Sequence, residues 1–213
     1  MKTAVCYGDS NTWGCIPMSS WADGGRHEPA QRWPNVMKTV LGEDWTVVAE
    51  GLPGRTTVHE DPVEGGHLSG LAYLRPCLES HRPIDLVAFM LGTNDFKRRF
   101  GLEAEDIARG VERLVLEASR LDVFGGQAPR VLVICPPPIE VVGVFTTMFE
   151  DADRKSRQLA PLLKEAAERC GAGFFDAGTV IRSSKIDGIH LDADAQVALG
   201  RAVAGAAQRM LTA

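Results

Sequence analysis

The chain has 213 residues, of which 45% are hydrophobic and 24% charged, with a formal net charge of −5. This is the composition of an ordinary globular protein with enough apolar material for a sizeable core, and we expect residues 1–213 to form one domain. The acidic balance and the lack of a long basic run argue against a nucleic-acid partner. No apolar stretch has the length of a membrane span or of a signal-peptide core, so we expect neither a membrane partner nor export.

The cysteines favour a reduced compartment. The chain has five, an odd number, and no two of them have the C-x-x-C spacing. Cys6 and Cys135 lie in apolar segments, where a free thiol behaves as a small hydrophobic side chain. We therefore expect neither a disulfide framework nor a zinc site, and we predict a cytoplasmic protein.

The first predicted element is a short strand that runs into a serine. The apolar residues 4–7 lead into Gly8-Asp9-Ser10, which indicates a buried strand followed by a tight loop. Residues 15–31 then show no clear period, yet they carry two large apolar side chains, Met18 and Trp21. Because a connection of this length is unusual inside a domain, we expect it to pack at the mouth of a site or against another subunit. The alternative is a plain surface excursion.

Strands and helices alternate along the rest of the chain. Apolar runs and helical spacing predict helices at 32–41, 70–81, 103–121, 153–170 and after Asp192, and strands at 45–49, 85–91, 131–135 and 173–176. The strand at 85–91 is apolar on both faces, which is typical of the centre of a parallel sheet. The alternation predicts an α/β domain with three layers (αβα), in which helices cover both faces of a five-stranded, mostly parallel sheet.

Three polar residues near the ends of these elements could carry acyl-transfer chemistry. In open α/β sheets, ligands bind at the carboxyl ends of the strands. Ser10 is a candidate nucleophile, and a serine requires a base to take its proton. His190 is the candidate base, and Asp187, three residues earlier, is the candidate acid that orients its ring. Taken singly, Ser10 also fits a turn residue, and His190 fits a helix-capping or surface histidine.

A tetrahedral intermediate also requires donors for its oxyanion. The backbone N–H groups of Ser10 and Gly54 and the side-chain amide of Asn94 are candidates, although Gly54 alone also fits a turn and Asn94 an Asx turn. Asp9 and Asp95 stand next to these residues, and we expect their carboxylates to hold the loops by hydrogen bonds.

A short basic run follows the third of these loops. Lys97, Arg98 and Arg99 could attract an acidic substrate. A solvated face is the favoured interpretation of such a run.

Four segments of the chain resemble the sequence blocks of the SGNH (GDSL-type) hydrolases. They are, in the family's order, Gly8-Asp9-Ser10, Gly51 with Gly54, Gly92-Thr93-Asn94-Asp95 and Asp187-Gly188-Ile189-His190. The resemblance implies a flavodoxin-like SGNH hydrolase fold, with Ser10 as nucleophile and donor, Gly54 and Asn94 as further oxyanion donors, and Asp187 and His190 as acid and base. We prefer Gly54 to Gly51 because Gly51 lies closer to the end of the strand. Asn11 departs from the leucine that the family name implies, and we expect its side chain to bond within its own loop.

Longer stretches narrow this resemblance to the bacterial arylesterase/acyltransferase branch, which includes mycobacterial-type acyltransferases and perhydrolases. These stretches are residues 8–14, 50–57 and 90–95. The resemblance implies acyl transfer to alcohols or peroxide. It also implies a homo-oligomer, in this branch an octamer, with a restricted hydrophobic channel. Residues 15–31 and 139–149 would then form channel walls or subunit contacts. Trp13, Leu52 and Ile189 are expected to bind substrate, and packing in the core is the equal alternative.

We therefore predict a serine esterase that hydrolyses short-chain, acetate-type aryl or alkyl esters through an acyl-serine intermediate. Its partner is a small-molecule ester, and its chemistry needs no metal or organic cofactor. One alternative is a carbohydrate O-deacetylase on the same residues, which the small number of aromatic residues disfavours. Another is a non-catalytic flavodoxin-like binding module, which the lack of a phosphate-binding fingerprint disfavours. Acyl transfer in water is a separate hypothesis.

Overall fold

A computed structural model, which describes residues 1–120 and 127–212, has five strands in one sheet. The strands are β1 (Lys2–Gly8), β2 (Trp45–Gly51), β3 (Leu86–Met90), β4 (Arg130–Cys135) and β5 (Gly173–Asp176). Their order across the sheet is β2-β1-β3-β4-β5, and every pairing is parallel. The predicted α/β class is confirmed, and the sheet of the described residues is wholly parallel.

Seven helices lie in the described part of the chain. They are α1 (Ser10–Trp13), α2 (Trp33–Leu41), α3 (Gly70–Ser80), α4 (Ala104–Ala118), α5 (Ala152–Ser156), α6 (Leu159–Arg169) and α7 (Ala193–Thr212). Alternate residues of β1 face opposite sides of the sheet: Ala4 joins the core under α2 and α7, whereas Val5 joins the core under α3, α4 and α6. These two apolar layers make the three-layer arrangement that the sequence predicts.

Two elements differ from their predicted form. The single helix predicted at 153–170 is divided into α5 and α6, and Pro161 lies in the first turn of α6. A proline there costs no helical hydrogen bond, whereas inside one continuous helix it would clash with the carbonyl four residues earlier. The helix predicted at 103–121 ends at Ala118 in the structure, and its predicted last residue, Leu121, lies outside the described residues.

All five residues of β3 are buried, as expected for a strand at the centre of the sheet.

The five cysteines are free thiols. Among the helices that the structure describes, none is both long and apolar enough to cross a membrane.

Candidate active site

Ser10 lies directly after β1 and begins a one-turn helix rather than the tight loop predicted. The carboxylate of Asp9 caps α1 by accepting the Asn11 N–H at 2.9 Å. Ser10 is buried on the wall of a cavity of about 240 Å³. Burial raises the pKa of the Asp9 carboxyl to about 6, against the opposing effects of the Asn11 N–H and the charge of His190. The serine is thus fixed at the carboxyl end of a central strand.

Asp187 and His190 form a buried hydrogen-bonded pair. Asp187 Oδ2 lies 2.7 Å from His190 Nδ1, and Asp187 Oδ1 accepts the His190 N–H at 2.9 Å. Burial alone would raise the pKa of the Asp187 carboxyl. However, the hydrogen bond and charge of His190, together with the N–H groups of Met18 and His190, hold that pKa below its ordinary value. An ionised Asp187 makes Nδ1 the protonated nitrogen of a neutral ring, which leaves Nε2 able to accept a proton.

The loop that carries this pair depends on Gly188. Its backbone is left-handed, with φ of 74°, and a Cβ there would lie 1.6 Å from the carbonyl oxygen of Glu140. The Glu140 N–H donates to the Gly188 carbonyl at 3.0 Å. Only glycine lets the backbone approach this closely, so the histidine loop rests directly on the segment that follows β4.

Four of the five predicted catalytic and oxyanion residues line one cavity, and Asp187 lies behind His190. Ser10, Gly54, Asn94 and His190 all line it. In the described part of the chain, the backbone N–H groups of Ser10 and Gly54 donate to no protein acceptor. Two unpaired backbone donors beside a serine are available to a bound oxyanion.

A buried arginine holds the second donor loop. Arg55 is 2% exposed, and its Nη1 donates to the Gly8 carbonyl at 2.9 Å and also to the Glu50 carbonyl. Gly54 precedes it with φ of 84°, and the Asn94 amide donates to the Arg55 carbonyl at 3.1 Å. Because the Asn94 amide has two N–H bonds, one remains for a ligand.

Asp95 supports the same loop, as expected for a carboxylate that holds its neighbours. It accepts the Thr57 N–H at 3.0 Å and the Thr57 hydroxyl. Burial raises the pKa of the Asp95 carboxyl, although the bonds from Thr57 oppose this. Asp95 and Asp9 both fix backbone next to the cavity, and neither lines it.

Asn11 bonds across loops, and the expectation that it bonds within its own loop is wrong. Its Nδ2 donates to the Ile189 carbonyl at 3.1 Å, and its own carbonyl accepts from Gln196 Nε2 at 2.9 Å. Asn11 therefore connects the turn that carries Ser10 to the loop that carries His190.

The three predicted substrate-binding residues lie in different places. Ile189 lines the cavity, whereas Trp13 and Leu52 are not part of its lining. The Trp13 ring stacks on the Arg26 guanidinium, whose Cζ is 4.7 Å from the ring centroid. Leu52 donates its N–H to the Gly8 carbonyl at 3.1 Å. A role for these residues in substrate binding stays a prediction.

The apolar walls come from the two irregular segments. Residues 15–31 contribute Met18 and Trp21, and residues 139–149 contribute Phe145, Met148 and Phe149. The Phe145 ring makes edge contacts with Trp21 at 5.0 Å and with His190 at 5.8 Å between centroids. The sequence indicates these segments as walls but does not single out Phe145 or Met148, because neither segment has a period that shows which side chains face inward.

Residues 15–31 also bond to the loop that carries Asp187 and His190. The Met18 N–H donates to Asp187 Oδ2 at 2.8 Å, and His27 Nε2 lies 2.9 Å from the Leu191 carbonyl. The segment is therefore a wall of the site in this structure rather than a surface excursion.

Lys97 is buried, which corrects the prediction of a solvated face. Its side chain is 3% exposed and lines the cavity, and its Nζ lies 2.8 Å from Glu64 and 3.3 Å from Asp61. Arg99 pairs with the same two carboxylates. Arg98 is exposed, as expected.

Comparison with known proteins identifies a family for this chain. Residues 6–198 match the GDSL-like lipase/acylhydrolase family. No curated protein sequence matches the chain significantly.

Three examples illustrate the solved structures that resemble this one. The native aryl esterase of M. smegmatis is 39% identical, with 98% of this chain and 99% of that chain covered and a TM-score of 0.94. The carbohydrate acetylesterase Est24 from Sinorhizobium meliloti is 38% identical, with 99% and 100% covered and a TM-score of 0.93. A lipase/acylhydrolase from Enterococcus faecalis shares the fold alone, with 18% identity, 99% and 97% covered and a TM-score of 0.68.

Proposed function

The chain belongs to the GDSL-like lipase/acylhydrolase family, and from that premise we propose that it is a serine esterase acting through Ser10, His190 and Asp187. The family and its esterase relatives make it a carboxylic ester hydrolase. The observation that carries the finer assignment is the Asp187–His190 hydrogen bond of 2.7 Å beside a cavity that Ser10 also lines. A buried acid that fixes the histidine tautomer near a serine is the arrangement that activates a hydroxyl nucleophile.

The proposed reaction has two halves. Ser10 Oγ attacks the ester carbonyl carbon as its proton passes to His190 Nε2. The carbonyl oxygen becomes an oxyanion, which accepts hydrogen bonds from the Ser10 and Gly54 N–H groups and the Asn94 amide. The C–O bond then breaks, the proton of His190 goes to the departing alcohol, and acyl-Ser10 remains. Water, deprotonated by the same histidine, releases the acid and restores the serine.

Ser10→Ala tests this assignment. The rate of p-nitrophenyl acetate hydrolysis should fall by about 10³-fold or more, because catalytic residues of this kind act as a unit. Ser20→Ala is the matched control, because among the described residues the Ser20 hydroxyl bonds to Asp23 within its own loop, and this variant should keep the wild-type rate. A fluorophosphonate probe should label the wild type at Ser10. A wild-type rate in Ser10→Ala would refute the proposal, and an unlabelled, inactive wild type would favour the non-catalytic binding module.

We further propose that the preferred substrates are short-chain aryl esters. The cavity of about 240 Å³ is smaller than the roughly 300–1,000 Å³ of sites for drug-sized ligands, so it suits an acetyl-sized acyl group with a compact alcohol. The apolar and aromatic side chains of Trp21, Phe145 and Met148 favour an aryl leaving group. Activity against p-nitrophenyl esters should fall steeply from acetate to octanoate, and equal rates across that series would contradict this.

Carbohydrate O-deacetylation is the second candidate. It is supported by the similarity to Est24 and by the polar side chains of Glu64 and Lys97 on the cavity wall, which could bond sugar hydroxyls. The two candidates separate when kcat/KM for an acetylated sugar is compared with that for an aryl acetate.

Acyl transfer to alcohols is a further proposal from the same cavity. An apolar wall favours entry of an alcohol over water, so benzyl alcohol added to a vinyl acetate reaction should yield benzyl acetate. Acetic acid as the only product would refute transfer.

We also propose that the protein forms a homo-oligomer, and the sequence resemblance suggests an octamer. Analytical ultracentrifugation tests this proposal.

A further inference from the structure

Glu50, Cys77 and His81 bring a carboxylate, a thiol and an imidazole together outside the active-site cavity. One possible ligand atom from each lies within 4.8 Å of the other two. Glu50 is near the end of β2, Cys77 is in the last turn of α3, and His81 follows that helix as its C-cap. Residues four positions apart in a helix lie on the same face, which brings Cys77 and His81 to one side, opposite Glu50.

We propose that these three side chains form a binding site for one Zn²⁺ ion. Thiolate, imidazole and carboxylate are the three protein ligands that zinc takes, at about 2.0–2.3 Å. Tetrahedral geometry with such bonds separates the ligand atoms by roughly 3.3–3.7 Å. His81 Nε2 and Glu50 Oε1, which share a hydrogen bond of 2.8 Å, would move apart by about 1 Å or less to admit the ion. A water molecule would complete the fourth position.

The burial of the three side chains suits an ion that enters from solvent. Cys77 is 1% exposed and forms the floor, whereas the side chains of Glu50 and His81 are 21% and 30% exposed and form the mouth. On binding, the Cys77 thiol loses its proton to solvent, so that one thiolate and one carboxylate neutralise the two charges of the ion.

Arg55, a cation next to the site, is already engaged by other groups. Arg55 donates to the carbonyl of Glu50, and its guanidinium stacks over Tyr7 at 4.1 Å and faces Tyr73 at 5.6 Å. The positive charge of Arg55 disfavours binding of Zn²⁺, but the negative charges of the Cys77 thiolate and the Glu50 carboxylate outweigh this effect. The sequence pattern did not reveal the site, because its ligands come from a strand and a helix and lack the C-x-x-C spacing.

Cobalt is the probe for this site, because a thiolate bound to Co²⁺ gives a charge-transfer absorption that other ligands do not. Chelator-treated protein should bind one Co²⁺ per chain with that absorption, and Zn²⁺ should displace it. Cys77→Ser should remove the absorption, and His81→Ala should weaken Co²⁺ binding at least tenfold. Cys170→Ser, at a partly exposed cysteine at the end of α6, is the control and should behave as the wild type.

A second measurement uses stability and does not depend on the buried cysteine. Zn²⁺ should raise the unfolding midpoint of the wild type, because a ligand of the native state stabilises it, and should leave that of His81→Ala unchanged. His81 is partly exposed, so this variant is expected to fold even if Cys77→Ser does not. The proposal is overturned if the wild type binds no stoichiometric Co²⁺, if the absorption survives in Cys77→Ser, or if His81→Ala gains the same midpoint shift.

Discussion

Replacing Lys97 with methionine tests whether a buried ion cluster holds one wall of the cavity. The Lys97 ammonium is almost fully buried between Asp61, whose side chain is 0% exposed, and Glu64, which is 36% exposed. Methionine has a similar volume, so the substitution removes the charge while nearly conserving the packing. The cluster then carries two carboxylates and a single cation, Arg99.

The expected loss of stability follows from what Asp61 retains. Removing one partner of a buried ion pair typically costs about 3–5 kcal/mol, because the other charge is left without compensation. Asp61 keeps Arg99 at 3.0 Å and the N–H groups of Val63 and Glu64 at 2.9 and 3.0 Å. We therefore expect Lys97→Met to lower the free energy of unfolding by about 2–3 kcal/mol, below that range.

Urea unfolding followed by circular dichroism measures this loss, provided that the m-value is unchanged. Arg98→Met is the matched control: the Arg98 side chain is 67% exposed, and its ion pair with Glu150 should contribute less than about 1 kcal/mol. Adding Asp61→Asn to Lys97→Met should recover about 1 kcal/mol, since it removes the excess negative charge and leaves Glu64 and Arg99 as a balanced pair. If Lys97→Met costs no more than Arg98→Met, the cluster does not hold the wall.

Two further predictions concern residues beside Ser10. Asn11→Ala removes the hydrogen bond to the Ile189 carbonyl, so kcat for p-nitrophenyl acetate should fall about tenfold at nearly constant KM. The free energy of unfolding should fall by about 1–2 kcal/mol. An unchanged kcat would show that Asn11 does not align the two loops. For Asp9, burial raises the pKa of the carboxyl from 3.8 to about 6, so the folded state favours the protonated form. The stability that this preference contributes is fully present below pH 3.8 and is lost as the pH rises through about 6. Asp9→Asn keeps the helix cap but cannot ionise. The free energy of unfolding of the variant minus that of the wild type, measured with urea, should therefore increase between pH 4 and 7, by at most about 3 kcal/mol. A difference that stays constant with pH would contradict this.

The fold was predictable because it depends on patterns that are local in sequence. The apolar run of β3 and the helical stripe of α4 each identify their element without knowledge of the rest of the chain. The division between α5 and α6 was missed by the prediction of one helix at 153–170, although Pro161 is a local signal that could have indicated it. The one-turn helix at Ser10 was not predictable, because four residues give no period.

The predicted catalytic residues were located from polar loops near the ends of the predicted elements, whereas their surroundings were not predicted. Lys97 belongs to a basic run that indicates solvent, and its two acidic partners are 33 and 36 residues away. The partner of Asn11 is 178 residues away. Pairings of this kind depend on how the loops meet in space, which no spacing rule in a single sequence specifies.

The separation of Ser10 and His190 along the chain affects when a growing polypeptide can react. In the proposed mechanism, the nucleophile Ser10 is synthesised about 180 residues before its base, His190. At typical synthesis rates of about 5–20 residues per second, this leaves Ser10 an ordinary, unactivated hydroxyl for roughly 10–40 s. Under the proposed mechanism, Ser10 would become reactive only after the loop of Asp187 and His190 has been made and has bonded to Asn11. The proposed chemistry would therefore begin only once nearly the whole chain has been synthesised.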